Sequence, residues 1–179
     1  MEHTEKFLSI IKSDTELMNA LRLVRELNLP DWYVAAGAVR NTIWNSLHNF
    51  STKVPIKDID VVYFDDSDLS EQKDLSLQRM LENKNNKFKW DVVNQARAHL
   101  LAENVINKRG RVLSSADSIA FWSETATCIG VRLKKNNSII ICAPHGLSDL
   151  MKLKVRPVPK PYTNLELYKK RVKEKRWKE

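Results

Sequence analysis

Apolar residues recur at helical spacing in some stretches of the chain and form short runs bounded by turn residues in others. In "TELMNALRLVRELN", Leu17, Leu21, Val24 and Leu27 fall on one helical face. Ser13 and Glu16 have capping-box spacing at its start, and Asn28 and Pro30 end it. Trp32-Tyr33-Val34-Ala35 is short, aromatic and β-favouring, which predicts a strand that Gly37 breaks. From Ala38 to Asn49 the positions Val39, Ile43, Trp44 and Leu47 return to helical spacing. "DIDVVYF", beginning at Asp58, is the clearest strand. Its apolar continuation Val61-Val62-Tyr63-Phe64 predicts burial near the middle of a sheet.

A polar helix over 70–84, a strand in "KFKWDVVNQ" and a helix in "ARAHLLAENVI" follow. "SSADSIAFW" predicts a short helix capped by Ser114 or Ser115. "TATCIGVRLKKNNSIIICAP" predicts a hairpin with "KKNN" at its tip, and "HGLSDLMKL" a short helix. "KVRPVPKP" reads as an extended connector into the basic helix "NLELYKKRVKEKRW". This order fits an α/β or α+β domain, a mixed sheet with helices packed around it. The expected division is one domain over 1–159, whose first 29 residues are helical, followed by a basic C-terminal helix over 160–179.

Composition narrows the class. At 179 residues and 42% hydrophobic, the chain has enough apolar material for a core. It contains no apolar run long enough to span a membrane. "MEHTEKFLSIIKSD" has early acidic residues and only a short apolar run, so no signal peptide is expected there. Cys128 and Cys142 match no zinc spacing, and free thiols in a cytoplasmic protein are the expectation.

The net charge of +8 lies in one place. Residues 151–179 hold eleven basic and three acidic residues, while the rest of the chain is balanced. Such a tail either attracts a polyanion such as RNA, through 152–178, or is a solvated helix that aids solubility.

The chemistry begins with strand geometry. Side chains alternate faces along a strand, so Asp58 and Asp60 point the same way, opposite Ile59 and Val61. Paired carboxylates on an apolar strand repel one another and resist losing water. Hard cations such as Mg²⁺, with Mn²⁺ as a substitute, are the usual partners of clustered carboxylate oxygens. Asp91, between Trp90 and Val92 on the next predicted strand, is the natural third ligand. The plainer alternative places Asp58 at the start of its strand and Asp91 on an exposed sheet face. Asp65, Asp66 and Asp68 cluster before a helix, where aspartate serves as a capping and turn residue.

Gly37-Ala38 before a helix start permits close backbone approach, and the helix's free N–H groups and dipole favour a phosphate. Arg40, in the first turn, suits either a salt bridge to a neighbouring aspartate or a contact with phosphate or Asp60.

A small-residue turn opening a helix, a D-x-D strand and a third acidic strand resemble the DNA polymerase β-type nucleotidyltransferases. "GAVRN" with "DIDVV" is most similar to the head domain of CCA-adding enzymes and bacterial poly(A) polymerases, whose motif reads G-G-x-V-R-D; "HGLSDL" resembles their late G-x-x-D-L stretch. Five blocks in order, "WYVAAGAVRNTIWNSLH", "DIDVVYFD", "WDVVNQARAHL", "ETATCIGVRL" and "KRVKEKRW", resemble a family of small bacterial nucleotidyltransferases. The resemblance implies a five-stranded or similar mixed sheet and Mg²⁺-dependent transfer of a nucleoside monophosphate from an NTP. By position it implies that Asp58, Asp60 and Asp91 bind metal and act in catalysis, and that Gly37 and Ala38 line the triphosphate, with Arg40 and Asn41 beside them.

Two departures are read against the motif, Ala38 for its second glycine and Asn41 for its aspartate. No long helical region follows to grip a tRNA end, so the acceptor is open: RNA, a protein side chain or a small molecule. Arg97 and His99 in "NQARAH" are further candidates for nucleotide binding, against the alternative that they only pack or are solvated. His48 and His145 have no motif support, and Ser123 and Cys128 no general-base partner, which argues against a protein nucleophile. The alternative to an enzyme is a non-catalytic nucleotide- or nucleic-acid-binding module on the same fold.

Overall fold

Asp14 separates the first two helices, α1 (Glu2–Ser13) and α2 (Thr15–Glu26). Its carboxylate accepts from the Leu17 N–H at 2.9 Å, while the Ser13 hydroxyl donates backward to the Ile10 carbonyl. The cap is therefore Asp14 and not Ser13, because Ser13 is already the last residue of a helix the capping-box spacing did not reveal. Asn28, with φ of 51°, turns the chain out of α2 in the left-handed conformation common after helix ends.

The computed structural model describes residues 2–48, 54–97, 112–161, 163–175 and 177. After α2 come β1 (Tyr33–Ala35), α3 (Ala36–His48), β2 (Asp58–Tyr63), α4 (Glu71–Lys84) and β3 (Lys89–Asn94). Next are α5 (Ser115–Ala120), β4 (Gly130–Leu133), β5 (Ile139–Cys142), α6 (Ser148–Met151) and α7 (Leu165–Lys175). Ser114 caps α5 by accepting from the Asp117 N–H. The helix expected in "ARAHLLAENVI" falls mostly outside the described residues.

The five strands form one mixed sheet in the order β3-β2-β1-β4-β5. β2 and β3 run parallel, and the other neighbours are antiparallel. β2 is thus an interior strand, as its apolar run predicted.

The pleat sorts the side chains. Val34, Ile59, Val61, Tyr63, Trp90, Val92, Val131 and Leu133 belong to the large core that also buries Phe7, Ile11, Leu17, Leu21, Val39 and Ile43 from α1, α2 and α3. The opposite face carries a smaller cluster, Tyr33, Ala35, Val62, Ile119, Cys128, Cys142 and Val158. Both cysteines are buried free thiols, and burial pushes Cys128 up to about 12 and Cys142 up to about 11. Gly130 is required by packing: a Cβ there would stand 2.9 Å from the Cβ of Tyr33.

The acidic turn after β2 is structural, as expected. Asp65 accepts from the Ser67 N–H and hydroxyl and from Lys73; Asp68 accepts from the Ser70 N–H and hydroxyl. Among the described residues no helix is long and apolar enough to cross a membrane.

Candidate active site

The parallel pairing of β2 and β3 sets Asp60 directly beside Asp91, and Asp58 beside Lys89. Neighbouring strands lie about 4.8 Å apart, so Asp60 and Asp91 are close and share a face. Asp58, two residues before Asp60, shares it too. This is the face opposite the large core, beyond the edge of the small apolar cluster. Asp58 and Asp91 are exposed; Asp60 is half-buried between them.

That position has an electrostatic consequence. Burial holds the Asp60 carboxyl above its ordinary range, and the neighbouring charges of Asp91 and Asp58 push it the same way. Two effects oppose them, a hydrogen bond donated by the Gly37 backbone N–H and the charge of Arg40. The carboxylates share one wall without closing into a cage. Among the described residues no three Asp, Glu, His or Cys side chains are gathered to hold an ion. The donor chemistry nevertheless fits a hard divalent cation: three acidic side chains on one wall, one of them desolvated and repelled by the others.

The three aspartates line a cleft of about 530 Å³. Its second wall is the start of α3, with Gly37, Ala38, Arg40 and Asn41. The backbone departs from expectation here. The left-handed residue is Ala36, with φ of 53°, and Gly37 already lies inside the helix. Aligned on Val39-Arg40, the two glycines of G-G-x-V-R-D fall on Ala36 and Gly37, which corrects the placement of the second glycine at Ala38. The Ala36 N–H holds the strained turn by donating to the Ile129 carbonyl at 2.9 Å.

Gly37 has room around it, since a Cβ would meet nothing nearer than Arg40 Nη2, at 3.9 Å. Gly37→Ala is therefore expected to raise stability by about 0.5–1 kcal/mol, as alanine does in helices. The added methyl group would narrow the cleft. Thermal denaturation of the variant beside wild type checks the expectation; a fall in melting temperature would contradict it.

Arg40 is buried, and desolvation lowers its guanidinium to about 10, which leaves it charged at neutral pH. It forms no salt bridge to an aspartate among the described residues. It donates to Thr127 Oγ1 at 2.9 Å and to Asn41 Oδ1 at 3.0 and 3.3 Å. It also lies over the rings of Trp44 and Trp177, 5.2 and 4.7 Å from their centroids. Asn41, where the motif has aspartate, thus serves as a neutral acceptor for Arg40.

The structure does not bring Arg97 to this cleft. Its guanidinium donates twice to Asp74 Oδ2, at 3.0 and 2.7 Å, while Asp74 Oδ1 accepts from the Tyr63 hydroxyl and the Asn94 N–H. The reason is local: buried Asp74 faces the C-terminal ends of β2 and β3, and Arg97 neutralises it. His99 lies outside the described residues.

The structure adds residues that periodicity did not flag. Thr127 lines the cleft, as do Arg171 and Lys175 from α7. Arg171 donates to the fully buried Glu124 at 2.6 and 3.3 Å, and Trp177 meets Trp44 edge-on with centroids 6.0 Å apart. The basic tail was visible in the sequence; its return to the cleft was not.

Small residues starting a helix beside a D-x-D strand, with a third aspartate in register on a parallel neighbour, define a polymerase β-like nucleotidyltransferase domain. The chain belongs to the nucleotidyltransferase family whose model matches residues 22–179. A solved protein whose NMR structure reveals a CCA-adding enzyme head domain is 32% identical, with a TM-score of 0.80 over 96% of this chain and 88% of that one. A CCA-adding enzyme in complex with CTP shares the fold at 16% identity and a TM-score of 0.53 over 89% of this chain. The Thermotoga maritima CCA-adding enzyme complexed with tRNA does so at 15% and 0.52 over 87%. This chain spans 37% and 35% of those two larger enzymes. No curated protein matches the chain.

Proposed function

We propose that the protein is a cytoplasmic, divalent-cation-dependent enzyme that transfers a nucleoside monophosphate from an NTP to an acceptor hydroxyl. The supporting observation is the register of Asp60 on Asp91, which sets a desolvated carboxylate beside a second acid at the floor of an open cleft. Asp58, Asp60 and Asp91 would hold Mg²⁺ or Mn²⁺. Bound there, the cations supply polarisation of the α-phosphate and neutralisation of the pyrophosphate leaving group.

The rest is work for the chain's own groups. Asp60 or its neighbour Asp91 accepts the proton of the acceptor hydroxyl. Ala38 and the open side of Gly37 leave space for phosphate at the start of α3, with Asn41 and Arg40 behind. The acceptor class best matched by the surface is a polyanion such as RNA. Lys169, Lys170 and Lys173 on the tail are exposed, and Lys170 pairs with Glu174.

The test is incubation of the purified protein with each NTP, labelled at the α-phosphate, and cell extract. The label is expected in one macromolecular class, RNA first, and only with a divalent cation present. If wild type binds Mg·NTP in calorimetry yet labels nothing, a nucleotide-binding module is the better description. If it binds no Mg·NTP, the nucleotide reading itself is wrong.

A further inference from the structure

The eleven-residue α7 presents two different faces. Tyr168, Arg171 and Lys175 follow at helical spacing and turn inward: the Tyr168 hydroxyl donates to the Val155 carbonyl, and Arg171 and Lys175 line the cleft. Lys169, Lys170 and Lys173 lie on exposed positions between them. The inward face is also fastened by Arg171 on Glu124, and just beyond the helix Trp177 packs against Trp44 and the Arg40 guanidinium. A helix that existed only for solubility would have no need to hold cations toward carboxylates across a cavity.

The charges around the start of α3 do not balance. Arg40, Arg171 and Lys175 meet there with the buried carboxylate of Glu124, and the charge of Asp60 reaches Arg40 as well. Arg171 lies near enough to disfavour the charge on Arg40, and the larger attraction of Glu124 outweighs that repulsion. Lys175 is exposed and makes no ion pair among the described residues. Set against Glu124 and Asp60, the three cations leave one unit of positive charge over where a helix N-terminus already favours an anion. Lys57 and Lys89 stand differently, beside Asp58 at the carboxylate rim.

We propose that α7 is the polyphosphate-holding wall of the cleft, with Arg171 and Lys175 taking the β- and γ-phosphates of the nucleotide and the Trp44–Arg40–Trp177 stack keeping them in place. The assignment rests on the nucleotide reading above and adds to it the residues that grip the triphosphate. It gives the C-terminal helix two roles by face, phosphates inside and a polyanionic acceptor outside.

The probe is inorganic tripolyphosphate with Mg²⁺, which needs no knowledge of the base, run beside Mg·NTPs and nucleoside monophosphates. Lys175→Gln is the primary variant because its side chain is exposed; Arg171→Gln is the second, with its folding followed by circular dichroism. Each is expected to weaken tripolyphosphate and NTP binding about tenfold, the scale of one charge-assisted contact. Monophosphate affinity is expected to change less than about twofold. Wild-type affinity for tripolyphosphate in Lys175→Gln would overturn the assignment and leave the nucleotide reading standing. So would loss of single-stranded RNA binding with tripolyphosphate binding intact. If wild type binds neither NTP nor tripolyphosphate, both readings fall together.

Discussion

Asp60→Asn is expected to reduce nucleotidyl transfer by roughly 10³-fold or more while leaving the protein at least as stable as wild type. The activity loss follows from the position of Asp60, between Asp58 on its own strand and Asp91 on the next. If Asp60 holds a cation as proposed, its loss would remove several kcal/mol of transition-state charge stabilisation, and each 1.36 kcal/mol is a factor of about ten. The stability expectation comes from the same geometry. Burial, Asp91 and Asp58 raise the folded-state pKa of Asp60 above its unfolded value. The folded protein therefore binds this proton more tightly than the unfolded chain, and its stability falls as pH rises from the unfolded pKa through the folded one. Above the folded pKa that loss is complete, and asparagine removes it while its carbonyl keeps the hydrogen bond from Gly37. The variant should also lose the decline in melting temperature expected of wild type between those two pKa values. Activity within tenfold of wild type would remove Asp60 from the metal site; a sharply lower melting temperature would show a structural role instead.

What the sequence disclosed and what it withheld divide along the range of the interactions. Asp58 and Asp60 share a face because strands have period two, which is local and legible. The nomination of Asp91 needed only the recognition of another strand; its register on Asp60 is set by parallel pairing across about thirty residues of chain and is not encoded in either strand alone. The special backbone was assigned to glycine, the permissive residue, yet Ala36 carries the positive φ because its N–H is held by Ile129 from a distant segment. Arg97 looked like a site residue from its place after the acidic strand. Its true partner, Asp74, sits on α4 among otherwise ordinary polar residues. The same holds for the tail. Composition disclosed its charge, but the contacts that fold it onto the cleft span 47 residues from Arg171 to Glu124, and no periodicity reports such a pair.

The Arg171–Glu124 pair carries the second large effect. Arg171→Met is expected to cost about 3 kcal/mol, since it strands a carboxylate whose side chain is only 1% exposed. The figure sits at the low end for broken buried pairs for two reasons. Arg171 is itself 33% exposed, and Arg40 is near enough to offset part of the stranded charge. For a chain of this length the loss should lower the melting temperature by roughly 6–12 °C. Glu124→Leu combined with Arg171→Met should recover most of it, because the costly state is the unpaired charge and not the lost attraction. High salt should change the wild-type pair little, as the Glu124 end is shielded from solvent. A double-mutant cycle in urea separates the terms: a coupling energy near zero would mean that α7 does not rest on Glu124. A large coupling, with tripolyphosphate binding still weak in the stabilised double variant, would separate the helix's anchoring from its hold on phosphate. Arg171 would then be doing both, one guanidinium edge fixed on Glu124 and its remaining donors left for the ligand.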